Sequence, residues 1–184
     1  MKAKTSPRIA PLPPPYSPEV AEDLRKLMPP GMEPLRLFTT VAHNPRVLGR
    51  LRRGGLLDPG AVSLRDREIV ILRTTALCGA EYEWGVHVAF FAEAARLTPE
   101  QVAATVSGSP EPFAAPEQAL LEMCEALHRL ARIDDELWAR LSADRRPAEL
   151  VELLALAGQY HMVSYLANAM GLELEPGAAG FPAR

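Results

Sequence analysis

The chain has 184 residues, 48% hydrophobic and 23% charged, enough to build one ordinary globular domain with a core of its own. Its formal charge of -3 argues against a basic surface that coats nucleic acid, and two cysteines exclude a disulfide scaffold. The spacing of Cys78 and Cys124 fits neither a zinc ribbon nor a CxxC redox pair, so reduced thiols are expected. The basic residues are 17 Arg against 3 Lys, a bias towards planar contacts with carboxylates or phosphates. There is no apolar run of about 20 residues to span a bilayer and no secretory h-region, so a cytoplasmic protein without membrane partners is expected.

The segment 1–17 holds Pro11-Leu12-Pro13-Pro14-Pro15 and reads as a proline-rich arm, either disordered or lying across a neighbouring subunit. Ser17-Pro18-Glu19 starts a short helix that runs to about Met28. Leu35, Phe38, Val41 and Ala42 form the stripe of a second helix ending near His43-Asn44-Pro45, and a third spans about Arg46 to Arg53 before Gly54-Gly55. Ser63 caps a fourth that closes near Gly79, and Glu81 to Leu97 reads as a fifth. Thr98-Pro99-Glu100-Gln101 is a capping-box start for the next, followed by a loop from Ser107 to Pro116. Helices through Leu120, Cys124 and Leu127, from Asp134 to Leu141, and from Pro147 to Met170 complete the chain. No sustained two-residue alternation appears, so the fold is expected to be all-α.

The segment Cys78 to His87 is the strongest candidate for chemistry by residue type. Glu83 and His87 stand four apart and share a helix face, where a carboxylate and an imidazole can hold each other's protonation state and pass a proton. The plain alternative is a helix-surface ion pair. Glu68 sits among Ile69, Val70, Ile71 and Leu72, which predicts a partly buried carboxylate suited to proton donation, or else a first-turn glutamate favoured by the helix dipole.

The stretches Leu64-Arg65-Asp66-Arg67-Glu68-Ile69-Val70-Ile71-Leu72, Glu81-Tyr82-Glu83-Trp84-Gly85-Val86-His87 and Leu97-Thr98-Pro99-Glu100-Gln101-Val102 resemble the carboxymuconolactone decarboxylase family, which includes the alkylhydroperoxidase D proteins. Gly158-Gln159-Tyr160-His161-Met162-Val163 and Asn168-Ala169-Met170-Gly171 fit its longer members. The resemblance implies a single helical domain: an arm (1–17), N-terminal helices (18–60), a family-like core (61–105), C-terminal helices (106–175) and a tail (176–184). It also implies a homo-oligomer, trimer or hexamer, with a site between helices. In the peroxidase branch the motif is a glutamate, then CxxC, then a histidine four residues after the second cysteine. Here Glu68 and His87 match the outer members, while Ala80 and Glu83 stand at the two cysteine positions. A dithiol cycle therefore does not carry over.

What the resemblance implies instead is cofactor-independent proton transfer on a small carboxylated or lactone-like molecule, as in aromatic catabolism. His87 would transfer the proton, Glu83 orient it and Glu68 extend the relay. Peroxide reduction through Cys78, or a non-catalytic binding role, are the alternatives. Tyr82 and Trp84 are packing residues or pocket walls, and Tyr160 and His161 face either the pocket or the core and subunit interface. Cys124 and His128 share a helix face, yet without a third ligand they read as a core cysteine and a surface histidine, so no metal is expected. Arg46, Arg50, Arg52 and Arg53 form a basic cluster that steers anions or is a solvated face. Without a P-loop or GxGxxG, no nucleotide cofactor is expected.

Overall fold

The computed structural model describes residues 6–182, and these are all-helical, with no strand among them. Nine helices follow one another in this span: α1 Pro18–Leu27, α2 Arg36–Val41, α3 Pro45–Gly54, α4 Leu64–Leu77, α5 Glu81–Phe91, α6 Pro99–Ser107, α7 Ala115–Leu130, α8 Asp135–Ala143 and α9 Pro147–Met170. Most starts follow the sequence grammar: Ser17, Asn44, Ser63, Thr98 and Asp134 each cap a helix through a side-chain oxygen, and Thr98 with Gln101 completes a capping box.

The fold is organised around α4. Ile69, Val70, Ile71 and Leu72 are all fully buried, which requires neighbours on every side of the helix, and α5, α6, α7 and α9 supply them. One apolar cluster joins these to Leu120, Met123, Leu141, Leu153 and Leu156. A second cluster, built from Val20, Leu24, Leu37 and Leu48 of α1 to α3, packs against Tyr82 and Val86 of α5 and the C-terminal half of α9. The 24 residues of α9, about 36 Å long at 1.5 Å per residue, serve both clusters.

Three expectations are corrected. The fifth helix stops at Phe91 rather than Leu97, because the chain turns through residues 92–96, where Arg96 takes a positive φ of 55° and Leu97 N–H bonds back to the Ala92 carbonyl at 2.9 Å. The arm, from Ser6 onward, lies on its own chain: Arg8 N–H donates to the Met170 carbonyl at 2.8 Å, Leu12 N–H to Thr39 at 3.1 Å, and His43 Nε2 meets the Ala10 carbonyl at 3.0 Å. Within the basic cluster, Arg52 is a structural tie, held to Asp23 of α1 at 2.5 Å.

The tail crosses α5. Phe181 N–H donates to Glu81 Oε1 at 2.9 Å, the Phe181 ring meets Trp84 edge-on at 5.4 Å, and the Ala179 carbonyl oxygen occupies the space a Cβ on Gly85 would need. Gly85→Ala is therefore expected to lift the tail and cost about 1–3 kcal/mol. Limited proteolysis near residue 178 would speed up in the variant; an unchanged cleavage rate and melting temperature would refute the contact.

Candidate active site

Gly79, with φ of +63°, reverses the chain between α4 and α5 so that the two helices pack side by side as a hairpin. This brings together Glu68 and His87, 19 residues apart in sequence. Glu68 is fully buried, and its Oε2 lies 2.7 Å from His87 Nδ1. On the other side of the ring, the Tyr160 hydroxyl from α9 stands 2.9 Å from His87 Nε2, with the rings edge-on. His87 and Tyr160 are buried too.

Glu83 does share a face with His87, but its Oε1 is 3.6 Å from Nε2, beyond a good hydrogen bond. The orienting carboxylate is therefore Glu68, and Glu83 supplies charge from the next turn. Arg67, which sequence reasoning did not single out, completes the group. Its Nε donates to Glu68 Oε1 at 2.9 Å, its NH1 to the Leu57 carbonyl at 2.8 Å, and its guanidinium lies over the Phe91 ring at 5.2 Å. The available signal was its place beside Glu68, since a buried carboxylate needs a cationic or hydrogen-bonding partner.

Burial acts to lower the pKa of His87, but the hydrogen-bonded carboxylate of Glu68 and the nearby Glu83 outweigh it and raise the value to about 9. At neutral pH the ring is an imidazolium whose Nδ1–H donates to Glu68 and whose Nε2–H donates to Tyr160. When His87 gives up its Nε2 proton, the Tyr160 O–H turns and donates to that nitrogen. Burial, reinforced by Glu83 and Glu68, holds the Tyr160 phenol well above its usual range, so it stays protonated in either state. The arrangement is a three-residue path along which one proton can shift, closed from solvent within the single chain.

The other expected residues lie elsewhere. Tyr82 donates its O–H to Glu175 at 2.6 Å and accepts from Leu37 N–H at 3.0 Å, tying the C-terminal segment to α2. Trp84 donates Nε1–H to Thr105 Oγ1 at 3.0 Å in the main core. Both serve packing in this arrangement. His161, next to Tyr160 but pointing out of α9 on another side, meets His128 and Cys78. Cys124 is fully buried, with its Sγ 3.7 Å from the Val70 carbonyl, and does not pair with His128. The Cys78 thiol is half-buried and raised in pKa by desolvation, partly offset by Ser164, while burial with His161 and Arg73 lowers that of His128.

The helical bundle that buries this Glu–His–Tyr path around one central helix has counterparts among known proteins. Residues 45–126 match the model of the carboxymuconolactone decarboxylase family. Among solved structures, an uncharacterized peroxidase-related protein from Ralstonia eutropha JMP134 with the alkylhydroperoxidase AhpD core superposes at a TM-score of 0.79. It is 14% identical, over 93% of this chain and 94% of that one. A peroxidase-related protein from Silicibacter sp. TM1040 gives 0.76 at 18% identity, over 94% and 95%. A cysteine-to-alanine variant of the debrominase Bmp8, in complex with 2,3,4-tribromopyrrole, gives 0.73 at 17% identity, over 91% of each chain. These likenesses show a shared fold. No curated protein sequence matches the chain. No helix among the described residues is long and apolar enough to cross a membrane.

Proposed function

We propose that the protein is an enzyme that moves a proton within a small carboxylated or lactone-like organic substrate, without a cofactor, through Glu68, His87 and Tyr160. The observation that carries this reading is the unbroken path from Glu68 Oε2 through both ring nitrogens of His87 to the Tyr160 hydroxyl, at 2.7 and 2.9 Å. A carboxylate on one ring nitrogen and a phenol on the other give a continuous route for a proton shift, as general acid–base transfer requires. In this mechanism His87 is the proton reservoir and Glu68 fixes its tautomer. Tyr160 is the terminal donor, and Glu83 raises the proton affinity of the ring. Decarboxylation of an unsaturated lactone acid leaves an electron pair delocalised towards the lactone carbonyl and needs a proton at the carbon that receives it. Isomerisation needs a similar donor, and lactone hydrolysis needs one at the leaving oxygen with water as nucleophile.

Peroxide reduction through Cys78 is less well supported. Its thiol is shifted away from the reactive thiolate, and the second cysteine is sealed in the core. The testing experiment is turnover of gamma-carboxymuconolactone by purified protein, with products identified by NMR and His87→Ala as control. Product formation lost in the variant is expected. Well-folded wild type that forms no product rules out that substrate; product formed equally by His87→Ala rules out the proton path.

We propose in addition a homo-oligomer assembled through the outer side of α9. Val151, Met162 and Tyr165 are exposed there, with Ala155 and Gly158 between them on one stripe.

A further inference from the structure

The cluster of Cys78, His128 and His161 takes no part in the proton path. Its members come from three helices: the C-cap of α4, the last turn of α7 and the middle of α9. One ligand atom from each, Cys78 Sγ, His128 Nδ1 and His161 Nε2, falls within 4.8 Å of the other two. His128 Nδ1 stands 3.9 Å from the sulfur and 3.0 Å from the His161 nitrogen. In a tetrahedral zinc site with bonds of roughly 2.0–2.3 Å, neighbouring ligand atoms are about 3.3–3.6 Å apart, so these side chains need to adjust by about an ångström at most.

Second contacts already aim the donors. His161 Nδ1 donates to the Ala157 carbonyl at 2.9 Å, which leaves its Nε2 lone pair turned into the cluster. Asn168 Nδ2 donates to the Cys78 carbonyl at 2.9 Å and pins the residue that carries the thiol. His128 is exposed, so its outer Nε2 can carry the ring proton in contact with water while Nδ1 is freed for coordination.

We propose that Cys78, His128 and His161 bind one borderline-soft divalent cation of the zinc class, with a fourth position open to solvent. A thiolate with two imidazoles selects such ions over magnesium or calcium, which require oxygen ligands. Binding converts the Cys78 thiol to a metal thiolate and releases its proton to water, while His128 moves its proton from Nδ1 to Nε2. The group offers three protein ligands, as open sites do, and the exposed side of His128 leaves room for a water or a small exchangeable ligand.

The test is Co(II) titration of the untagged full chain after chelator treatment. One cobalt per chain is expected, with a thiolate-to-cobalt charge-transfer band and the visible bands of a tetrahedral ion, all displaced by Zn(II). Cys78→Ser should abolish the charge-transfer band, and His128→Ala, a change at an exposed side chain, should weaken binding by about 100-fold or more. Zn(II) should also raise the melting temperature of wild type and not of His128→Ala. Cobalt bound without a thiolate band, a band that survives Cys78→Ser, or equal affinity in wild type and His128→Ala would each overturn the site.

Discussion

Glu68→Gln is expected to lower the pKa of His87 from about 9 towards its ordinary value of 6.5, because the substitution removes the nearest charge while burial of the ring remains and Glu83 alone still raises it. The folded pKa lies above the unfolded one, so the stabilisation of protonated His87 is complete below pH 6.5 and is lost as pH rises through about 9. A change of this size corresponds to roughly 3 kcal/mol. The stability gap between wild type and variant should therefore be widest near about pH 6 and close above about pH 9. Turnover should fall by about 100-fold or more, since the variant has lost its proton reservoir at neutral pH. NMR titration of the His87 ring and urea unfolding across this range measure both effects. A ring that still titrates near its wild-type pH, or a gap that stays constant, would contradict the proposed role of Glu68.

Trp84→Ala should be the costliest single change in the core. The indole is 2% exposed, packs against the Phe181 ring and donates to Thr105 Oγ1. Removing it leaves a cavity too large to collapse, at about 3–5 kcal/mol, or roughly 10 °C in melting temperature for a chain of this size. The Thr105 hydroxyl keeps its own bond to the Val102 carbonyl, so the loss is one of packing more than of a stranded polar group. Trp84→Phe separates structure from substrate contact: a packing role predicts a partial loss of stability with KM unchanged. A raised KM at full stability would return Trp84 to the pocket wall.

The elements of this fold were legible because their starts are chemically marked. Hydroxyl and carboxylate caps followed by proline or acidic residues fixed most N-termini to within a residue or two, and the apolar run after Glu68 signalled a buried carboxylate, though not that its helix is the centre of the fold. The end of α5 was not legible, since Ala92 to Ala95 are good helix formers and the break comes from Arg96 adopting a left-handed backbone. Glu68 and His87 were found from the sequence, but not that Glu68 lies nearer than Glu83. That order depends on the hairpin between α4 and α5, and spacing along one helix cannot report it. The cluster at Cys78 escaped for the same reason. Its partners come from α7 and α9, while the pair visible at helical spacing, Cys124 with His128, points in two different directions. The arm was misplaced because every bond that seats it ends on a backbone carbonyl, including those of His43 to Ala10 and Arg8 to Met170, and such acceptors carry no sequence signature.

The burial of α4 on all sides also governs how the molecule can breathe. A helix whose whole middle is sealed exchanges its amide hydrogens only when the packed helices around it come apart together, which places it at the most protected end of the stability range. Glu68 is thus carried by the most rigid part of the chain. The segment between α3 and α4 is tied more lightly, by Arg67 at the Leu57 carbonyl and by Glu152, which receives the amides of Ala61 and Val62. Local opening of this segment is expected to leave Glu68 in place, because α4 holds the carboxylate independently of the ties at Leu57, Ala61 and Val62.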